Sequence, residues 1–191
     1  MKKLFISSFA SLALCGSLFA ASLDENSVKV GFEGYKTPAM VGTKGVFSKV
    51  NLKLNKDTTS LSKQLVGSTI TLSPKDIDMG GEVNQVITDN VVNAFFGTLN
   101  NKGDIKVSIE DVIEGEHKGV INAKVTINKQ SQIVPLVYEI SGNNEFSASG
   151  RLDLSAFSNS KKALKALSEV AAGHLGISWN IVDISVSGKL K

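Results

Sequence analysis

Few residues of this chain have the types and spacing that chemistry requires. His117 follows Glu114 and Glu116 in a polar, glycine-containing stretch. A metal ion could bind such a group, but a solvated turn is the simpler interpretation. His174 lies near the end of a helical pattern. It could act as a base, compensate the charge of a helix C-terminus, or pack as a hydrogen-bonded ring. The two histidines do not have zinc-site spacing.

A second candidate is a group of acidic residues ahead of the first helical pattern. It consists of Asp76, Asp78, Glu82 and Asp89. Calcium needs closely spaced oxygen ligands, but this stretch lacks the twelve-residue loop and terminal glutamate of an EF-hand. Turn and cap roles explain these residues better. No glycine-rich loop has phosphate-binding spacing. We therefore expect no metal and no cofactor, and we expect a protein that is not an enzyme.

The first twenty residues read as a secretory leader. Lys2 and Lys3 precede an uncharged apolar run over 4–18, and small residues follow it. This order is typical of a signal peptide, and we place the cut after Ala20. The apolar run is short for a membrane anchor, which is the alternative. The pattern predicts a periplasmic or secreted protein.

The single cysteine of the chain falls inside this leader. Cys15 follows Leu14, whereas a lipoprotein signal has a small residue at that position. We read Cys15 as an ordinary apolar leader residue, which leaves the mature chain without cysteine. Its roughly 170 residues must then be stabilised by one core, and that length suffices for one domain over 21–191.

Charge gives little reason to expect nucleic acid. Removing Lys2 and Lys3 from the 21 Lys and Arg residues leaves 19, against 18 Asp and Glu. The mature chain is thus almost neutral, and nucleic-acid binding depends on clustered basic residues.

Short alternating segments dominate the mature chain. Apolar and polar residues alternate with period two, which predicts strands with one buried face. Polar turns at 114–119, 128–131 and 142–144 indicate hairpins. An antiparallel sheet avoids open edges by closing into a barrel. We expect an up-and-down β-barrel of about eight strands, with a two-sheet sandwich as the alternative. The predicted strands cover 28–35, 46–54, 66–72, 105–110, 121–127, 132–140, 145–154 and 180–190.

Two stretches have helical rather than strand periodicity. The first covers 88–99, with Thr88 or Asp89 as its cap, and carries the pair Phe95 and Phe96. The second covers 158–175 and would end at a glycine.

Aromatic side chains are spread over most of the predicted elements. They could fill the core, or they could line a cavity, because small barrels do either. These aromatic residues are Phe32, Phe47, Phe95, Phe96, Tyr138, Phe146, Phe157 and Trp179.

Several segments resemble the YceI-like family in their order and spacing. An early strand leads to Gly42-x-x-Gly45-x-Phe47, and Ile77-Asp78-Met79-Gly80 is similar to the family's Ile-Asp-Thr-Gly turn. A helix with paired phenylalanines follows. The stretch from Phe146 to Phe157 and the closing strand from Trp179 to Val186 also match, so the resemblance covers about 28–191.

The resemblance implies a lipocalin-like antiparallel barrel in the periplasm or outside the cell. Members of the family hold long-chain polyisoprenoids or other amphiphiles. It therefore implies a carrier, with the helix of Phe95 and Phe96 as a lid. The residues predicted to line or gate its interior are Phe32, Phe47, Phe95, Phe96, Tyr138, Phe146 and Trp179. The only small molecule expected is this non-covalently bound lipid.

Two departures change the expected head group. The family's Arg-Asp-x-His-Leu is replaced by residues 85–89, and Leu152-Asp153-Leu154 lacks the usual basic residue. A neutral head, such as a quinone or an amide, suits the chain better than a diphosphate. Alternatives are a filled barrel that binds another envelope protein and, less favoured, a lipid-modifying enzyme. Whether the barrel forms a homodimer is left open.

Overall fold

The computed structural model describes residues 22–191, so the predicted leader at 1–20 lies outside the described part of the chain. Ten strands form one antiparallel sheet in the order β3-β4-β6-β7-β8-β9-β10-β1-β2-β5. The strands are β1 Lys29–Lys36, β2 Val41–Phe47, β3 Asn51–Lys53, β4 Thr69–Leu72, β5 Ile77–Asp78, β6 Ile105–Ile113, β7 Lys118–Ile127, β8 Gln130–Ile140, β9 Glu145–Asp153 and β10 Ser178–Lys189.

The sheet is curled into a barrel by a short connection. β3 stands at one end of the strand order and β2 near the other, yet only three residues separate Phe47 from Asn51. Four Cα–Cα steps span at most about 15 Å, so the two ends of the sheet must approach each other. The main-chain N–H of Ser48 also donates to the carbonyl of Asp76, at 2.7 Å.

The predicted mainly β, barrel-like architecture is confirmed, with ten strands instead of about eight. The single strand predicted over 46–54 is two strands, β2 and β3, with the bend at 48–50 between them. β5 has two residues, which are too few to show an alternating pattern. The first three residues of the strand predicted over 66–72 form instead the turn after a short helix, α1 (Leu61–Leu65).

One end of the barrel is closed by side chains. We call it the closed end. Here Tyr138 and Phe146 stack with ring centroids 5.7 Å apart, and they are 0% and 2% exposed. α1 lies at the same end, where the main-chain N–H of Ser62 donates to the Glu114 carboxylate in the β6–β7 turn.

A buried glutamine ties the start of the described chain to the closed end. Gln64 Oε1 accepts from the main-chain N–H of Leu23 at 2.7 Å, and Gln64 Nε2 donates to the carbonyl of Leu23 at 3.1 Å. Ser22 and Lys191 exchange two main-chain hydrogen bonds beside it. Buried polar groups are costly unless they are paired, and Gln64 pairs both of its own with those of Leu23.

The opposite end of the barrel is covered by helices. A continuous helical stretch, which we call the cover helix, consists of α2 (Gln85–Asp89), a π-helical segment (Asn90–Phe96) and α3 (Gly97–Asn100). The second helix, α4 (Ser160–Val170), packs against it. Ala172–His174 then forms a short 3₁₀ turn.

Both helices differ from their predicted bounds. The cover helix begins one turn before 88–99, so Thr88 and Asp89 are inside it, and neither is a cap. Thr88 Oγ1 instead accepts from the main-chain N–H of Met79 at 3.2 Å. α4 is shorter than 158–175 and ends ahead of both glycines that were expected to end it. Leu175, with φ of 51°, begins the turn into β10.

Gly119 provides a test of the packing at the closed end. A methyl group on Gly119 would collide with the carbonyl oxygen of Ile113 and with the ring of Tyr138, and a main-chain atom cannot easily move away. We expect Gly119→Ala to lower the free energy of unfolding by about 1–3 kcal/mol. Urea unfolding followed by the fluorescence of Trp179, the single tryptophan, measures this.

Gly142 is the matched control, because a Cβ built there meets nothing within 4 Å. Gly142→Ala should change the free energy of unfolding by no more than about 0.5 kcal/mol. Equal effects of the two substitutions would contradict the packing described for Tyr138.

Candidate ligand cavity

The barrel contains a cavity of about 580 Å³. Its walls are the inward-facing side chains of the strands, and its cover is formed by the cover helix and α4. The volume falls within the range of small-molecule sites. The lining is largely aliphatic and includes Val30, Ile70, Val107, Val125, Leu136 and Ile184.

The cavity opens between α2 and the end of α4. Val86 and Val170 both line it, although 71% and 53% of their surfaces are exposed. Residues that line a cavity and also face solvent mark its entrance. We call this entrance the mouth.

Polar side chains that line the cavity gather at the mouth. Lys36 ends β1, Thr43 lies on β2 beside it, and Asn90 lies on the cover helix. His174 and Ser178 complete the group from the loop after α4 and the start of β10. The deeper wall is apolar. Such a cavity suits a molecule with a long apolar part and one polar end.

The surroundings of His174 at the mouth shift its pKa from the ordinary value. Burial lowers the pKa of His174 below its usual value, and the positive charge of Lys36 adds to this effect. Its Nδ1 lies 2.7 Å from Ser178 Oγ. The environment thus favours the neutral imidazole.

Five of the seven predicted lining residues lie in the cavity wall: Phe32, Phe47, Phe95, Phe96 and Trp179. Phe32 and Phe47 meet at 5.7 Å between centroids, and Phe95 meets Phe96 edge-on at 4.9 Å. Trp179 Nε1 donates to the carbonyl of Thr37 at 2.7 Å, which anchors the ring beside the mouth. Contact of these side chains with a ligand stays a prediction.

Tyr138 and Phe146 do not lie in the cavity wall. They point inward as expected but belong to the closed end, where they stack on each other. Sequence reasoning also passed over Lys36 and treated His174 as a helix-end residue. The signal that could have found both is their place next to the ends of predicted strands, β1 and β10, that lie beside each other.

The other candidates for chemistry have structural roles. His117 is exposed in the β6–β7 turn, with Nε2 3.7 Å from Glu116. Asp78 accepts from the main-chain N–H groups of Gly80 and Gly81, which lowers the pKa of its carboxyl. Within 22–191, no group of three or more His, Cys, Asp or Glu residues is placed to hold a metal. None of the described helices has the length and hydropathy needed to cross a membrane.

Solved structures share this architecture. A polyisoprenoid binding domain from Saccharophagus degradans aligns with a TM-score of 0.62 and 11% identity, over 90% of this chain and 98% of that one. BcnA of Burkholderia cenocepacia aligns with a TM-score of 0.61 and 16% identity, over 88% and 98%. The Campylobacter jejuni YceI protein aligns with a TM-score of 0.54 and 17% identity, over 82% and 90%. The chain has the fold of the YceI proteins. Neither a protein-family model nor a curated protein matches its sequence.

The YceI fold is the one that the sequence resemblance implied, and the structure shows where this chain departs from the family pattern. Residues 85–89, which replace Arg-Asp-x-His-Leu, form α2 at the mouth. Val86 and Ile87 from this segment line the cavity. Leu152 and Leu154, at the position without the basic residue, are buried and line it too. At Val86 and Leu154, apolar side chains therefore stand where the resemblance implied charged ones.

The environment of His174 predicts a pH dependence of stability. Its pKa in the folded chain is lowered, while the unfolded value is about 6.5, so the unfolded chain binds more protons in the interval between them. Stability therefore falls as the pH drops below about 6.5 and levels off below the folded pKa. We expect urea unfolding at pH 7.5 and pH 5 to show a smaller loss of stability for His174→Asn than for the unchanged protein.

His117→Asn is the control, because His117 is an exposed histidine on a turn. It should leave the loss between pH 7.5 and pH 5 unchanged. If both variants lose as much stability as the unchanged protein, the burial of His174 does not shift its pKa in the folded state.

Proposed function

We propose that this chain is a YceI-like carrier that holds one long-chain amphiphile inside its barrel. The observation that carries the proposal is the cavity of about 580 Å³, with aliphatic walls and polar groups at its mouth. The apolar chain of the ligand occupies the interior, and its head group lies between Lys36 and His174. The polyisoprenoid-binding neighbour supports an isoprenoid or a similar chain.

Burial of the chain supplies the binding free energy. Each methylene removed from water contributes about 0.8 kcal/mol. Association costs about 4–15 kcal/mol in lost freedom of motion. On the order of ten or more buried carbons are therefore needed before binding is tight, which favours long chains over short ones.

The position of the arginine favours a neutral head group over a diphosphate. Phosphates are bound most specifically by the two-pronged arginine side chain. The only arginine of the chain, Arg151, lies on the outer wall. There its Nε and Nη2 hydrogen-bond the Asp183 carboxylate at 2.6 and 3.1 Å. Tyr35 donates to the same carboxylate, so Arg151 is not available to a ligand at the mouth.

The cavity argues against the other two functions. A barrel that acts only as a protein-binding module would have a filled interior, whereas this one has a large apolar space. A lipid-modifying enzyme needs polar groups deep in the site, and the polar lining residues are at the mouth. Binding without chemical change is the function that these two observations favour.

The leader supports a location outside the cytoplasm. Residues 1–20 have the order of a signal peptide, and the described chain is a barrel with a shielded interior. A periplasmic carrier would shield an apolar chain while it moves through water between membranes or enzymes.

Native mass spectrometry of the detergent-free protein from an envelope fraction tests the proposal. We expect one discrete added mass that solvent extraction removes. The extracted protein should then take up an isoprenoid quinone or a fatty amide on titration. A bare polypeptide mass, with no uptake of either, would overturn the carrier function.

Filling the cavity from its wall gives a second test. Ala123 is buried and lines the cavity, so Ala123→Phe should project a ring into the space that the ligand needs. We expect uptake to fall at least about tenfold, while the free energy of unfolding changes by less than about 1.5 kcal/mol. The measurements are titration of the extracted protein and urea unfolding.

Ala148 provides the matched substitution, because it is buried outside the cavity wall and pairs with Tyr138. Ala148→Phe has no free space and should cost about 1–3 kcal/mol or more through overpacking. If Ala123→Phe destabilised the protein equally and left uptake intact, the interior would not be the binding site.

A further inference from the structure

A chain of hydrogen bonds at the mouth ends on the histidine that lines the cavity. His174 Nδ1 lies 2.7 Å from Ser178 Oγ, and Ser178 Oγ lies 2.8 Å from Ser168 Oγ. Ser168 Oγ donates to the carbonyl of Leu164 at 2.9 Å, one turn earlier in α4. The four groups thus join α4, the loop after it and β10.

The direction of every bond in this chain is fixed by its far end. A carbonyl only accepts hydrogen bonds, so the hydroxyl of Ser168 donates its single proton to the carbonyl of Leu164. The Ser168 oxygen must therefore accept the proton of Ser178. Because the Ser178 hydroxyl donates its proton to Ser168, its oxygen can only accept from His174. The donor in that bond is therefore the Nδ1–H of His174. The neutral imidazole consequently carries its proton on Nδ1.

The second ring nitrogen is then an acceptor at the mouth. A neutral imidazole has one protonated nitrogen, so Nε2 has a free lone pair. No residue within 22–191 hydrogen-bonds Nε2 of His174. Lys36 is close by, because its Nζ lies 3.8 Å from the position of a Cβ built on Gly173. Among the described residues, no carboxylate forms an ion pair with Lys36. The mouth therefore offers one acceptor, on His174, and one cationic donor, on Lys36 next to Gly173.

We propose that His174 and Lys36 form a head-group site that selects a neutral group carrying its own hydrogen-bond donor, such as a hydroxyl. The head group donates to Nε2 of His174 and accepts from the ammonium of Lys36. This inference rests on the proposed carrier function and narrows its ligand class. A head group with acceptors alone, such as a quinone carbonyl, leaves Nε2 unpaired. Ser178 is a positioning residue, because it acts on the ligand through His174.

The site has a built-in dependence on protonation. Protonated His174 carries a proton on Nε2 and becomes a donor, so it no longer distinguishes a hydroxyl from an ether oxygen. Lys36 is the charged group that acts on His174. On α4, Lys165 and Glu169 pair with each other, and on β10 Asp183 is paired on the outer wall. The alternation of β10 turns Asp183 away from the cavity.

A matched pair of probes tests the head-group site. The mature protein, freed of lipid by extraction, is titrated with geranylgeraniol and with geranylgeranyl methyl ether, each delivered from cyclodextrin. The fluorescence of Trp179, which lines the cavity, reports binding. The quantity compared is the ratio of the two dissociation constants, ether over alcohol. Differences in the hydrophobicity of the probes cancel when this ratio is compared between variants.

His174→Asn removes Nε2 but keeps an amide donor that can reach Ser178. We expect the ratio to fall roughly threefold to tenfold in this variant, which is the size of one net hydrogen bond. His117→Asn should keep the unchanged ratio. In the unchanged protein the ratio should also fall as the pH decreases from 7.5 towards 4.5, and in His174→Asn it should not. Thermal unfolding checks that His174→Asn is folded at each pH.

The outcomes separate this inference from the carrier function. If both probes bind and the ratio is the same in the unchanged protein and in His174→Asn, the barrel binds the apolar chain of the probe but His174 does not distinguish the head groups. The head-group site is then wrong and the carrier function stands. If neither probe binds, and native mass spectrometry finds no other amphiphile, the carrier function is wrong and the head-group site falls with it.

Discussion

Closure of the sheet around an interior that side chains do not fill is the constraint on which the rest of this structure depends. The ring is completed by the covalent connection between β2 and β3, at 48–50, so the chain itself holds the two ends of the sheet together. Next to this connection, the side chains of Phe32 and Met79 approach the main chain of β2 closely. A Cβ on Gly45 would lie 2.6 Å from the Phe32 ring and 2.5 Å from Met79 Sδ. Glycine lets the aromatic ring lie close against the main chain of β2.

The two ends of the barrel solve different problems with the same residue types. Stacked rings fill the closed end, while Phe95 and Phe96 cover the cavity from the helical side. Period-two alternation predicted the inward face of most strands, and the barrel-like architecture was confirmed. It failed in β2, where Val46 was expected on the buried face but is 48% exposed, while its neighbour Phe47 points inward. It could not predict the height of a side chain along the barrel axis, because height depends on the register between strands. Tyr138 and Phe146 were for that reason placed with Phe32 in the predicted lining.

The helices and the mouth show where local pattern stops being informative. Apolar spacing predicted a helix over 88–99, but the π-helical segment and the start at Gln85 depend on packing against the barrel and α4. The hydrogen-bond chain of His174 joins Ser168 to Ser178 across a turn that contains left-handed Leu175. No spacing of residues in the sequence predicts this hydrogen-bond chain. Polar networks assembled by tertiary structure are the part of a site that periodicity cannot supply.

Ser22 pairs with Lys191 through main-chain hydrogen bonds, and the Lys191 ammonium forms an ion pair with Asp24 at 2.9 Å. These contacts fix which end of the barrel would lie next to a support to which the protein is attached. Both ends of the described chain lie at the pole away from the entrance. A tether joined at Lys191, whether a fusion partner or a solid support, would leave the entrance pointing into the surrounding solution. The protein can therefore be immobilised through its closed end, which leaves the mouth accessible for exchange of the ligand.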